Sequence, residues 1–406
     1  MTRVPFVKRS GISSRIIILL FLLKIVAGIA IGWLSLHFYG PGNDYWDVNR
    51  EAWKEYQLLV NDPGNYFSNI FTSGYPDGYS GFFSSVNSFW NDLKGNIIIK
   101  LVSVFNIFSR GDYYINSLFF NFLVFFGHIA LYRVFTKVYS GRSTLAIIGC
   151  FLLPSLIYFS SGIHKDGIVF LMLAVLIYCV YQSLEQNRLN KKYLLLIIVS
   201  LIFLLLIRHF IFIALVPALI AWIISIKFKQ APLKVFAIVY VVMGLLLFNI
   251  DSLISQVKPL EIITRKQYDY MHLPGSETAI NLTILNPNFK SFASNTPQAL
   301  YHILFRPYLW ELPVKSLLPL NIELLFYQLL FLAFLFFRRK ETGPPNTPFI
   351  WFTIVFTLTI LLLTGYIVPN LGSIVRYRSI YLPLIITPLL CSIDWDKVKK
   401  MVKIKK

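Results

Sequence analysis

The chain has 406 residues, 56% hydrophobic and only 14% charged, where an ordinary soluble domain carries roughly 25% charged residues. This balance belongs to a protein whose main solvent is lipid, and at about 20 residues per span plus loops it allows about ten crossings. The net charge of +19 does not point to nucleic acid, because Lys and Arg fall in short clusters between apolar runs, the pattern that orients membrane helices.

In chain order, the apolar runs long enough to span are 14–38, 114–137, 143–160, 167–184, 193–207, 209–227, 233–250, 320–337, 349–368 and 378–393. The first is too long for the core of a signal peptide and is read as a retained helix. The fifth and sixth form a nearly continuous run of about 36 residues, too long for one crossing. Arg208-His209 interrupts it, which predicts two short helices with a polar hinge. Segments 95–108 and 299–318 are apolar but interrupted, and read as interfacial or re-entrant pieces. Cys150, Cys179 and Cys391 all sit inside apolar stretches without metal-type spacing and read as small core residues. The predicted fold is all-α, a polytopic bundle of about ten spans in one integral membrane domain.

Orientation follows from the basic loops. With the N-terminus in the cytoplasm, Arg3, Lys8, Arg9 and Arg15, then Lys137 and Arg142, share that side. So do Arg188, Lys191 and Lys192; Lys227, Lys229 and Lys234; and Arg338, Arg339 and Lys340. Lys397, Lys399, Lys400, Lys403, Lys405 and Lys406 complete the set, which exceeds half of the 38 basic residues. Two long loops, 39–113 and 251–319, then lie outside the cytoplasm, the second with Pro259, Pro274, Pro287, Pro297, Pro307 and Pro313. Loops of this length are more often functional than plain connectors.

Unusual polar residues gather on that outer side. After the first span come Asp44 and Asp47 among Tyr45 and Trp46, where a carboxylate could take a proton from an acceptor hydroxyl; the alternative is a polar helix cap with an aromatic belt. His164, Lys165 and Asp166 fill the tight turn into the fourth run. They read either as a phosphate- or sugar-contacting corner or as Asp166 capping the next helix. Arg208 and His209 meet an anion or snorkel to the interface. Arg306 stands just before Pro307, and Trp310 and Glu311 sit between Pro307 and Pro313, with Glu323 following; Glu311 either pairs with Arg306 or serves a site. Arg376 and Arg378 stand in the last outer loop, and guanidinium forks bind phosphate oxygens bidentately. Lys24 and His128 are the ionisable residues deep in a span, and Lys24 can snorkel. No Walker A, dinucleotide-binding or HExxH motif is present, which argues against an ATP-driven pump and a zinc protease.

This layout resembles polyprenyl-linked glycosyltransferases of the GT-C type. The resemblance rests on the acidic residues after the first helix, the length of segment 40–112 and the arginines of the last loop. It implies a bacterial cytoplasmic-membrane enzyme with its active face extracytoplasmic. Such an enzyme moves a sugar from a polyprenyl-phosphate or -pyrophosphate donor to a glycan, lipid or protein acceptor. Asp44 or Asp47 would be the base, and Arg376 and Arg378, with Arg208 or Lys165, would stabilise the departing lipid phosphate. Trp46, Tyr75 and Trp90 would stack on sugars. Lys165, Asp166, Arg208, His209, Arg306, Trp310, Glu311, Arg376 and Arg378 are the substrate-binding candidates. No Asp-Glu doublet of the kind some branches carry is found, so the need for a divalent cation stays open, and no metal ligands are assigned. An O-antigen-polymerase-like enzyme joining lipid-linked repeat units and a lipid-linked sugar flippase or transporter are the alternatives.

Overall fold

The computed structural model describes residues 1–71, 78–79, 88–254, 258–273, 278–311, 318–339 and 347–404. Tyr75, Pro274, Pro313, Lys340, Lys405, Lys406 and the segment 312–317 of the expected re-entrant piece lie outside them. Among the described residues the protein is all-α, 81% helical, with only two isolated β-bridges. Seven helices among the described residues are long and apolar enough to cross a membrane, or up to nine if each of two bent helix pairs is one span.

The ten apolar runs all appear as helix, with three differences. The run 143–160 is broken into Ser143–Phe151 and Pro154–Ser161, because Pro154 lacks the N–H that would continue the helix and suits the start of a new one. The fifth and sixth runs lie in one assigned helix, Lys191–Lys227, whose backbone leaves helical geometry at Arg208 (φ −145°, ψ 75°), where the hinge was predicted. The last run begins earlier than expected. Leu371–Ser379 is already helical and meets Leu382–Ser392 at 64°, with Pro383 at the start of the second piece. Arg376 and Arg378 therefore stand on a helix, not in a loop.

The chain divides into two compact units, Met1–Val134 with Leu156–His209, and Phe135–Ser155 with Phe210–Lys406. In the first, the span Ser14–Tyr39 buries Ile17, Leu20, Lys24, Gly28, Ile31 and Ser35, one stripe at helical spacing. A Cβ on Gly28 would strike Asn121 and Ser117, so the glycine lets two helices approach closely, the usual solution in lipid. The first long loop is itself helical. Asp44–Asn61 packs on Phe89–Ser109, and Asn116 donates to Asn49 (2.8 Å) and Asn106 (2.7 Å). Lys100 joins Glu55 (2.5 Å) to Asn69 (2.6 Å).

In the second unit Trp222 stacks on Phe352 at 4.7 Å within an aromatic column that includes Phe349 and Phe356. The helix Phe289–Phe305 packs on Thr347–Ile367. Gly365 makes this contact close, since a Cβ there would meet the carbonyl oxygen of Ala299. Gln267 then ties the loop down, donating to Tyr366 O (2.8 Å) and accepting from Leu285 N (2.8 Å).

Candidate functional site

Asn43 caps the helix Asp44–Asn61 by accepting from the N–H groups of Tyr45 and Trp46, which fixes Asp44 as its first residue. The Asp44 side chain is 68% exposed, and one of its oxygens lies 3.7 Å from His164 Nε2. His164, not Asp166, caps the following helix Lys165–Glu185: its Nδ1 accepts from the backbone N–H of Asp166 (3.4 Å). The expected Asp166 cap is thus corrected, and the carboxylate is left for other work. Asp166 Oδ2 stands 3.2 Å from the same imidazole nitrogen, and Oδ1 binds Arg208 Nη2. Asp166 is 1% and Arg208 5% exposed. A charge buried to this degree is tolerated only with a partner, which accounts for the pair. Arg208 does not snorkel. The result is a row running from a buried guanidinium through a buried carboxylate and an imidazole to an open carboxylate.

Asp47 stands outside this row, paired with Arg50 at 2.7 Å on the helix surface. Lys165 and His209, the neighbours of Asp166 and Arg208 in sequence, are half-buried. Trp46 is committed to packing: its indole N–H donates to Gly32 O (2.9 Å) and its ring stacks on Tyr113 at 4.5 Å. Trp90 is the second residue of the helix Phe89–Ser109 and half-buried.

Lys24 does not snorkel either. It is 4% exposed and donates to Ser160 Oγ (2.9 Å), Ser161 Oγ (3.1 Å) and Ser160 O (3.3 Å). Ser161 O also accepts from Asn121 (2.9 Å). The sequence singles out Lys24 as deep in a span but not its pairing with Ser160 and Ser161, although Lys24 falls on the buried stripe of the first span and the two serines end a helix.

A second cluster lies in the other unit. Arg306 holds Glu311 with two nitrogens, Nη2 at 2.6 Å and Nε at 2.8 Å, and Glu311 accepts the N–H of Tyr308 at 2.8 Å. Burial opposes the charge on Glu311, but the Arg306 hydrogen bonds, the Tyr308 N–H and the Arg306 charge outweigh it and hold the carboxyl below its ordinary range. Arg306 Nη1 faces His302 Nδ1 at 3.0 Å. Burial first, and then the Arg306 charge, push the His302 imidazole downward; the neutral ring accepts from the guanidinium. Trp310, 79% exposed, stacks at 14° on Tyr308 with centroids 5.0 Å apart.

Arg378 is buried, and its Nη1 donates to Ile303 O (2.8 Å) and Arg306 O (3.1 Å), so this side of the guanidinium satisfies carbonyls at the end of the helix Phe289–Phe305. That placement corrects its expected role as an open phosphate ligand. Arg376 is half-buried on the same short helix. Glu323, which accepts from Ser155 N (2.9 Å), Ser155 Oγ (3.1 Å) and the Tyr327 hydroxyl, lies within Coulombic reach of Arg378.

Six of the sequence candidates thus fall into two groups, one in each unit: Asp44, Asp166 and Arg208 in a row with His164, and Arg306 and Glu311 beside His302, with Arg378 on the carbonyls of Ile303 and Arg306. Among the described residues no three His, Cys, Asp or Glu side chains form a group that could hold a metal ion. Fold and clusters together define a multi-pass all-α membrane protein with ionisable residues kept inside its helical units. Comparison with known protein families, with curated proteins and with solved structures gives no match to this chain.

Proposed function

We propose that the protein is a membrane glycosyltransferase acting on a polyprenyl-phosphate-linked sugar, with Asp44 as the base that activates the acceptor hydroxyl. In this reading it resides in a bacterial cytoplasmic membrane with Asp44 on the extracytoplasmic side, as the basic loops imply. The observation that carries the proposal is the row Arg208–Asp166–His164–Asp44, in which only the last member is open to an incoming substrate. Asp44 takes the proton, the hydroxyl oxygen attacks the anomeric carbon, and the bond to the lipid phosphate breaks with its electron pair leaving on phosphate. Lys165, beside His164 in sequence, is the cation of this unit assigned to the departing phosphate.

The test uses purified protein in liposomes, supplied with polyprenyl-phosphate-linked sugars and a panel of hydroxyl acceptors. Asp44→Asn should lower transfer by about 10²–10⁴-fold, while Asp47→Asn, which breaks only a surface pair, leaves it within a few-fold. Equal transfer by wild type and Asp44→Asn would remove the base. The buried Lys24 favours a second reading, a flippase for the same lipid, since ionisable groups inside spans mark transport paths. Lipid-linked sugar crossing the bilayer without any transfer, and lost in Lys24→Met, would replace the first reading with the second.

A further inference from the structure

The helix Trp395–Ile404 follows the last apolar pair and is pinned where it begins. Asp394 N donates to Phe337 O (2.9 Å), and Arg339 N donates to Ser392 O (3.0 Å). The Trp395 indole N–H donates back to Leu390 O (2.9 Å). These bonds bring the start of this helix to the end of the span Leu318–Phe336, where Arg338 and Arg339 emerge. Along the helix, Trp395, Val398 and Met401 occupy one arc at three-residue spacing. Lys397, Lys399 and Lys400, all exposed, occupy the other, with Asp394 tied to Lys397 at 3.3 Å. A short helix with an apolar arc opening on Trp and a face rich in lysine is the form that lies in the plane of a bilayer interface.

We propose that this helix and Arg338–Arg339 form a docking surface for anionic phospholipid headgroups. Reach and charge select the occupant. The patch starts directly at the ends of two apolar helices, next to Phe336, which is exposed, so headgroups lie within about one Debye length, 10 Å at 0.1 M salt. Several cations so placed attract negatively charged lipid, while the apolar arc enters the boundary beneath it. The inference rests on membrane residence alone and is independent of any transfer chemistry.

Met401, half-exposed on the apolar arc, is the reporter position. Full-length Met401→Cys is labelled with an environment-sensitive fluorophore, unlabelled background being set by the wild-type chain, whose cysteines are all buried. It is then placed one copy per nanodisc, in phosphatidylcholine alone or in equal parts phosphatidylcholine and phosphatidylglycerol. The expected result is a blue shift and brightening in the anionic discs only, reversed by raising salt to 1 M, where the Debye length falls to about 3 Å. Adding Lys397→Gln, Lys399→Gln and Lys400→Gln should abolish the difference. Equal emission in the two lipids, or a blue shift that survives both salt and the glutamines, overturns the proposal.

Discussion

Removing Asp166 tests whether the buried row is an energetic unit. Asp166→Ala leaves the Arg208 guanidinium, 5% exposed, without the carboxylate it binds. Breaking a buried pair from one side costs about 3–5 kcal/mol, because an uncompensated charge stays inside. Replacing both partners by apolar groups is often neutral or better, so Asp166→Ala with Arg208→Met should be more stable than Asp166→Ala alone. At about 2–4 °C per kcal/mol for a unit of this size, the single variant should melt on the order of 10 °C lower. The three cysteines are buried and supply the assay: a thiol-reactive fluorophore follows their exposure as detergent-solubilised protein is heated, with Cys179 reporting on the unit that holds Asp166. A cycle of wild type, both singles and the double gives the coupling, expected at about 2 kcal/mol or more. Losses that add to within about 0.5 kcal/mol would show that the two side chains do not act together, and the ordered row beneath Asp44 would lose its foundation.

Two further predictions concern the second unit. The folded His302 titrates lower than the usual value of 6.5, so below about pH 6.5 the unfolded chain binds a proton that the folded one resists, and stability should fall as pH drops through that window. Glu311, held low by Arg306, contributes stability above its ordinary 4.5 that is lost as pH falls further. Glu311→Gln should therefore remove the lower step in a melting-temperature profile and keep the upper one. Gly365→Ala should destabilise by about 1–3 kcal/mol, because the new Cβ meets backbone atoms of Ala299 that cannot swing away. Gly244→Ala, where nothing lies within 4 Å, should gain up to about 1 kcal/mol of helix propensity. Equal melting of the two alanine variants would contradict the close approach of Phe289–Phe305 to Thr347–Ile367.

The helices were legible because a lipid solvent leaves a coarse signal, long apolar runs with charge at their ends. The break at Arg208 was legible for the same reason, since a guanidinium inside such a run must have a cause. The breaks before Pro154 and Pro383 were written too, in the preference of proline for the first helical turn, but continuous hydropathy masked them. Side-chain partners were a different matter. Arg378 turns one nitrogen onto two carbonyls of a helix 72 and 75 residues away, and Lys24 chooses serines 136 and 137 residues away over the interface. Neither choice is local, so neither residue spacing nor residue type encodes it. The same holds for His164, whose role as helix cap depends on the extended backbone it adopts.

Exposure then separates roles that residue type alone leaves equal. Asp44, Asp47 and Asp166 are three aspartates near one helix junction, and any of them could be written as a base. Asp166 is enclosed and holds an arginine, so a substrate hydroxyl has no access to it, and protonating it would strand the guanidinium. Asp47 is accessible, but it pairs with an arginine three residues on, also at the surface, and it lies outside the row that reaches the interior. Asp44 alone combines an open carboxylate with a fixed imidazole behind it, whose Nδ1 is held by the backbone N–H of Asp166. A base must both reach its proton and keep its geometry while doing so. Of the three, Asp44 meets both conditions, and the backbone N–H of Asp166 keeps His164 in place behind it.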